Sequence, residues 1–544
     1  MILGRRTPES YKRIIVDLEE QFNLLYSEGR FQEAAQIVER ALGIASMVFR
    51  PDDFITLTIK NNLTLVNLKL EEDKSNQKSN QVLKSRGFGF WHVYKGFLIV
   101  LLLTVIWSTG LVKSAGDGSG IKPVIAEPPK NDFLPNYTVQ ASFYPEQKAI
   151  QGKETVSFIC TGKEVDFDLY LNRFNDPSLN SSEIRTYAYR HGSDDGYIDI
   201  KTIDHAGQKL NFQVQGQFLR VFLDPTIFAP GSQVELSITF RAKIPYILDR
   251  TGGDSRGVWL GNWLPTLSVD SKPIKPTEVG DPFLNLSSTY DVTIDVPKDY
   301  NVVVSNVNSI LDDRERKVYH ARLEKVRDFP LFINHSYSEV STREGQTEIH
   351  YYFVSQGERA GEVLDTAKKA LEYYKANVGE YPWKQLNIVE NDMYLSGMEY
   401  STMILVSERA IQTNLAPTVF HEVGHQWFYN IIGCDQINAS YMKEGAVEFF
   451  TKYALEGQTP RKSNILSLNR NIGDFSSWGP YREIDYINGE KLFENLYVIM
   501  GETKFKQFIK GYYDKYKFTI VSPDQFREYV AKTIGQKAAS NLFH

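Results

Sequence analysis

Cysteine is almost absent: Cys160 and Cys434 are the two in 544 residues. No disulfide framework can therefore hold the chain together, and two isolated thiols behaving as small hydrophobes are expected. An excess of positive charge is missing as well, with 61 Lys and Arg against 67 Asp and Glu for a net charge of −6. That excludes the basic surface on which nucleic-acid binding depends. Histidine is scarce, at nine residues, so a close pair of them draws notice. Apolar material is not scarce: 42% of the chain is hydrophobic and 13% aromatic, enough for three or four folded domains at this length.

Long hydrophobic runs are also rare, with one clear exception. GFLIVLLLTVIWSTGLV, from Gly96 to Val112, carries no charge and is bracketed by Lys95 and Lys113. It is hydrophobic all round and predicts one membrane-spanning helix in contact with lipid, at the short end of the usual length. Lys78, Lys84, Arg86 and Lys95 lie on one flank, and Lys113, Lys122 and Lys130 on the other. This slight asymmetry, with the flexible GDGSG and the Pro128-Pro129 tether that follow, places the N-terminus in the cytoplasm and the rest outside it.

Ahead of the run, Phe31, Ala34, Ala35, Val38, Ala41 and Leu42 recur at helical spacing. With a second helix expected over 54–72, residues 1–73 resemble one and a half tetratricopeptide repeats, too few to bury much, so they either pack on a protein partner or form a small α-helical hairpin. Residues 74–95 read as a linker and 113–136 as a tether. From 137 to 340 the apolar period becomes two, as in QVELSITF (Gln233 to Phe240) and YDVTIDVP (Tyr290 to Pro297), which predicts an all-β domain. From 341 to 544 helical patterns dominate, in a mixed α/β domain.

VFHEVGHQWF, Val419 to Phe428, holds the chemistry. On a helix expected from about Pro417 to Gly433, His421 and His425 share one face at i and i+4, while Glu422 is turned about 100° away. Two imidazoles so placed can hold Zn²⁺, one ion per chain, with Glu422 beside it as a general base. After eighteen intervening residues beyond His425, Glu444 lies near the start of the helical segment Tyr441 to Glu456 and can fold back as third ligand, leaving one position open for water. Phe428 and Ile431 stand where the metzincin pattern needs Gly and His. Metal-activated water with a glutamate base hydrolyses peptide bonds.

HExxH followed after eighteen residues by Glu resembles the M1 family of zinc aminopeptidases. LGNWLP (Leu260 to Pro265), GDPF (Gly280 to Phe283) and GEYPW (Gly379 to Trp383) are similar to that family too. The resemblance implies a β-saddle domain before a thermolysin-like catalytic domain. It also implies that Gly397, Met398 and Glu399, in Ser-Gly-Met-Glu-Tyr, bind substrate, Glu399 taking the free α-amine. Ser396 and Tyr400 depart from the family pattern. Tyr486, in YINGEKLFENL, matches the tyrosine that stabilises the oxyanion, and Glu448 is a candidate support for a zinc ligand. The family's long helical C-terminal domain has no counterpart before His544, so a more open cleft is expected.

The sequence thus predicts a membrane-anchored zinc metallopeptidase that removes N-terminal residues from peptides. A zinc endopeptidase and a non-catalytic membrane scaffold that binds peptides are the alternatives, the latter having no need of Glu422.

Overall fold

In the computed structural model, residues 31–48 are described with Leu18, Gln21, Phe22, Leu25, Arg30, Ile59 and Leu63, and residues 134–543 apart from 176–186, 191, 193, 273–278, 313–314, 458, 469 and 476. The chain divides into two compact units, 1–125 and 126–544.

In the first unit a helix runs Phe31–Val48. Its Ala34, Ala35, Val38, Ala41 and Ala45 form one stripe, buried with Leu18, Phe22 and Ile59. Of the second helix expected over 54–72, only Ile59 and Leu63 are described, so the repeat-like hairpin lies largely outside the described residues. The apolar run 96–112, its linker and nearly all of its tether lie outside them too. Among the described residues no helix is long and apolar enough to cross a membrane.

The second unit begins as the period-two pattern requires. An eight-stranded sheet orders the strands Val307–Asp312, Arg316–Val326, Ser288–Pro297, Asn136–Tyr144, Ala149–Ile159, Gln233–Lys243, Tyr197–His205 and Gln208–Lys209. Inward Tyr290, Val292, Ile294 and Val296 alternate with half-exposed neighbours, as a sheet with one buried face demands. Two four-stranded sheets complete this β domain, and their inward side chains join one apolar core around Trp263 and Phe240.

A five-stranded sheet follows, in the order Ser338–Glu344, Thr347–Phe353, Gln385–Asn391, Met403–Ser407 and Gly397–Tyr400. The boundary expected at 340 falls inside its first strand. Gly397–Tyr400 is an edge strand, paired on one side with Met403–Ser407. Over this sheet the helix Ala360–Asn377 packs against the helix Leu415–Gly424, and Gly424 makes the close approach possible, since a Cβ there would lie 2.2 Å from the Tyr374 hydroxyl.

The histidine helix is shorter than the sequence suggested. It ends at Gly424, after which amide bonds first tighten, Gln426 N–H to Val423 O and Trp427 N–H to Gly424 O, and then widen, with Asn430 and Ile431 donating five residues back. Competing side-chain bonds account for the break. Gln426 donates to Tyr400 O at 2.9 Å and accepts from Thr402 N–H at 3.0 Å, and Asn430 Oδ1 accepts from Ser401 Oγ at 2.6 Å. These buried bonds clip the turn of the edge hairpin to the segment behind His425. Arg327, also fully buried, donates to Tyr429 O, to Asn285 O at 2.8 Å and to Thr519 O at 2.7 Å, tying that segment to the β domain.

The next helix, Tyr441–Glu456, has the bounds its sequence pattern implied. It meets the helix Gly489–Met500 at a glycine pair: a Cβ on Gly445 would lie 2.2 Å from the Gly489 carbonyl carbon, and one on Gly489 2.8 Å from Gly445 Cα. Backbone thus touches backbone, which fixes the preceding turn, Arg482–Asn488, beside the histidines. Gly445→Ala is expected to lower stability by about 1–3 kcal/mol in thermal or urea unfolding, because overpacking here must push the helices apart. An unchanged Tm would show that the contact is slack.

Candidate metal centre and active site

His421 projects from the last turn of the helix Leu415–Gly424 and His425 caps it. Their Nε2 atoms are 3.0 Å apart, and Glu444 Oε2 lies 3.5 Å from the first and 3.3 Å from the second. Ligand atoms around a tetrahedral ion at about 2.0–2.1 Å lie about 3.4 Å apart. The three donors thus fit Zn²⁺, and Glu444 Oε2 is buried with no hydrogen-bond partner among the described residues. Each histidine is oriented from behind: Glu448 Oε1 is 3.0 Å from His421 Nδ1, and Phe428 O is 3.0 Å from His425 Nδ1.

Glu422 points elsewhere, toward the edge strand. Gly397 comes so close that a Cβ would sit 2.1 Å from Glu422 Oε1, so only glycine fits opposite the carboxylate. Its other oxygen, Oε2, is buried with no hydrogen-bond partner among the described residues. Burial, with Glu399 and Glu444 nearby, raises the Glu422 carboxyl well above its usual range despite His421.

Glu399 lies on the same face of the strand as Gly397, by the alternation of side chains. Its carboxylate is within 4.8 Å of ligand atoms of Glu422 and His425. Met398 points the other way, into an apolar cluster with Tyr170, Phe283, Val389 and Met403, so it packs the strand in place. Tyr400, the residue that departs from the family pattern, donates to Arg250 O at 2.8 Å and lies over Gly261, where a Cβ would be 1.9 Å from its ring.

Tyr486 comes from the Arg482–Asn488 turn, a π-helical segment. Its ring is parallel to that of His421, with centroids 6.0 Å apart. The hydroxyl has no hydrogen-bond partner among the described residues, which leaves it available to an incoming group. A π-type turn at such a place is common where a helix must re-aim one side chain into a site.

Two residues of the site were not anticipated. Lys443, 1% exposed, pairs with Glu399 Oε1 and lies 3.2 Å from Glu444 Oε1 and 3.6 Å from Asp281 Oδ2. Asp281, from the GDPF stretch, accepts a 2.5 Å bond from Arg250 Nη1. Burial opposes the charge on Glu399, but Lys443 and then His425 outweigh it and hold the carboxyl below its usual value. The signal for Lys443 was its position immediately before Glu444. Asp281 stood in a stretch that resembles the family, but no local pattern gave it a role, because its contact spans the two domains.

A β domain joined to a mixed α/β domain, with two histidines and a glutamate converging and a free glutamate beside them, is the arrangement that metal-dependent hydrolysis requires. Residues 362–474 match the Peptidase family M1 domain. It is 23% identical over 274 residues to Aminopeptidase M1-B of Oryza sativa subsp. japonica (42% of this chain, 31% of that protein). It is 22% identical over 209 residues to Glutamyl aminopeptidase of Rattus norvegicus (34% of this chain, 22% of that protein). The aligned stretches thus span less than a third of these relatives. Among solved structures, the M1 zinc metallopeptidase of Deinococcus radiodurans has the same fold, with TM-score 0.56 and 14% identity over 75% of this chain and 92% of that one. A mutant of that protein bound to a Tyr-Ser-Ala substrate gives 0.55 and 13% over the same shares.

Glu448→Gln is expected to weaken metal affinity about 10–100-fold, read by competition with a chromophoric chelator, because His421 loses the carboxylate that sets its ring. Equal affinity in the variant would make Glu448 a bystander.

Proposed function

We propose that this protein is a zinc-dependent aminopeptidase that removes N-terminal residues from peptides. The observation that carries the reading is the convergence of His421, His425 and Glu444 with the partnerless Oε2 of Glu422 beside them. Bound there, zinc supplies a Lewis acid and lowers the pKa of water. The chain's own groups do the rest. Glu422 takes the proton of the attacking water on Oε2 and passes it to the leaving nitrogen, for which a raised carboxyl pKa is suited. The Tyr486 hydroxyl donates to the developing oxyanion. The edge strand Gly397–Tyr400 has an open side on which a peptide backbone can lie, its amino end toward Glu399.

We place the catalytic region outside the cytoplasm, anchored in lipid by the run 96–112, with the N-terminus cytoplasmic. What supports this is the uncharged length of that run and its lysine brackets. The stripe of the helix Phe31–Val48, buried with Leu18, Phe22 and Ile59, supports a small helical segment ahead of that run, for which we propose a protein partner.

Glu422→Gln is expected to retain one zinc per chain while turnover of an aminoacyl anilide falls about 10²–10⁴-fold. Full activity in that variant ends the proposal. Tyr486→Phe should lower kcat by about 10²–10³-fold with little change in KM, since the oxyanion exists only on the reaction path; a rise in KM alone would assign the ring to substrate binding.

A further inference from the structure

The carboxylate expected to take a substrate's α-ammonium already has an ammonium beside it. Lys443 is buried, its Nζ pairs with Glu399 Oε1, and two further carboxylate oxygens, on Glu444 and Asp281, lie 3.2 and 3.6 Å away. The side chain cannot easily leave. It stands in the first turn of the helix Tyr441–Glu456, beside the metal-facing Glu444, with its own N–H bonded to Ser440 O. The Tyr429 ring also faces Nζ, at 5.3 Å. Of the other two carboxylates, Glu444 faces the histidine pair and Asp281 is already bonded to Arg250. An incoming ammonium would have to share Glu399 with Lys443 and would meet a like charge inside a water-poor cleft.

We propose that Lys443 determines the specificity of this site: as a built-in counter-ion of Glu399 it removes most of the preference for a free α-ammonium, so that peptides with a neutral amino end are also accepted. This rests on the M1 peptidase reading of the site, and it changes what that site selects. The pocket keeps the edge strand, Glu422 and Tyr486, none of which requires a charged amino end. Neutral ends include N-acylated peptides and the interior of a longer chain, so the specificity shifts from strictly N-terminal trimming toward cleavage near blocked ends.

The test uses the zinc-loaded full chain, with two peptides identical but for N-acetylation. Wild-type protein is expected to cleave both with kcat/KM values within about tenfold of each other, and Lys443→Met and Lys443→Gln to raise the preference for the free amine about tenfold or more. Lys443→Arg should keep the wild-type ratio, which a purely structural role for the lysine would not predict. Zinc content measured on every variant separates an effect through Glu444 from one through Glu399. A wild-type preference for the free amine of about a hundredfold or more overturns the proposal, as does an unchanged ratio in both neutral variants. Should the neutral variants fail to fold, the wild-type ratio decides. If neither peptide is cleaved, the peptidase reading fails separately. Calorimetry with a peptide hydroxamate and its N-acetyl form then decides: equal binding by wild type upholds the inference, and strong preference for the free amine ends it.

Discussion

Four carboxylates, those of Asp281, Glu399, Glu422 and Glu444, are buried in one cleft, and the need to balance their charge governs how the surrounding structure is built. Carboxylates so placed cannot all stay ionised without cations close by. Arg250 answers Asp281, and Lys443 answers Glu399 and Glu444. Among the protein groups alone His421 is drawn into the same role: burial disfavours an imidazolium, yet Glu444 and Glu448 outweigh it and raise its pKa well above the usual value. Among the described residues Glu422 is the carboxylate that no side chain pairs with, and burial, with Glu399 and Glu444 nearby, raises its pKa. A dication among the three donors would relieve this shortage of positive charge, so the electrostatics and the donor geometry lead to the same ion.

Holding such a cluster requires rigid neighbours that are themselves dry. The site takes residues from a helix, from the next helix, from an edge strand and from a π-turn, and each junction is made by backbone approach or buried hydrogen bonds. Gly397 against Glu422, Gly424 under Tyr374 and Gly445 on Gly489 let elements touch at distances any side chain would forbid. Arg327 then donates to Tyr429 O in the segment where the helix breaks, Asn430 adds a side-chain bond to His425 O, and Gln426 bonds Tyr400 O of the edge hairpin. The cost of ending the histidine helix at Gly424 is thus met within the same few residues that lock the edge hairpin.

How much of this was legible in the sequence depends on whether the signal was local. HExxH, the spacing to Glu444 and the helix Tyr441–Glu456 are local patterns, and the structure brings His421, His425 and Glu444 together. The alternating strands were equally readable, because one face of the large sheet is buried throughout. The end of the histidine helix was not, since what stops it is not Gly433 but bonds from Gln426 and Asn430 to Tyr400, Ser401 and Thr402. Such tertiary competition leaves no mark on periodicity. The boundary near 340 was misplaced for a related reason: Ser338–Glu344 alternates like its β-domain predecessors, and its partner, Thr347–Phe353, identifies the sheet it joins.

Lys443 shows what resemblance alone passes over. A family motif names the positions that match, and Glu399 and Glu444 match; the residue between the two roles does not enter the pattern. Yet a buried cation one residue before a metal-facing glutamate alters what the neighbouring carboxylate can still bind, because a carboxylate already paired gains less from a second ammonium than a bare one does. Arginine at Arg250 and lysine at Lys443 also differ in kind. The planar guanidinium of Arg250 is fixed by Gly280 O and Asp281 together, whereas a point charge on a flexible stem can serve Glu399, Glu444 and Asp281 at once. Glu422 and Glu399 are therefore decoupled: the first keeps its charge shortage, while the second has its charge met from within the fold.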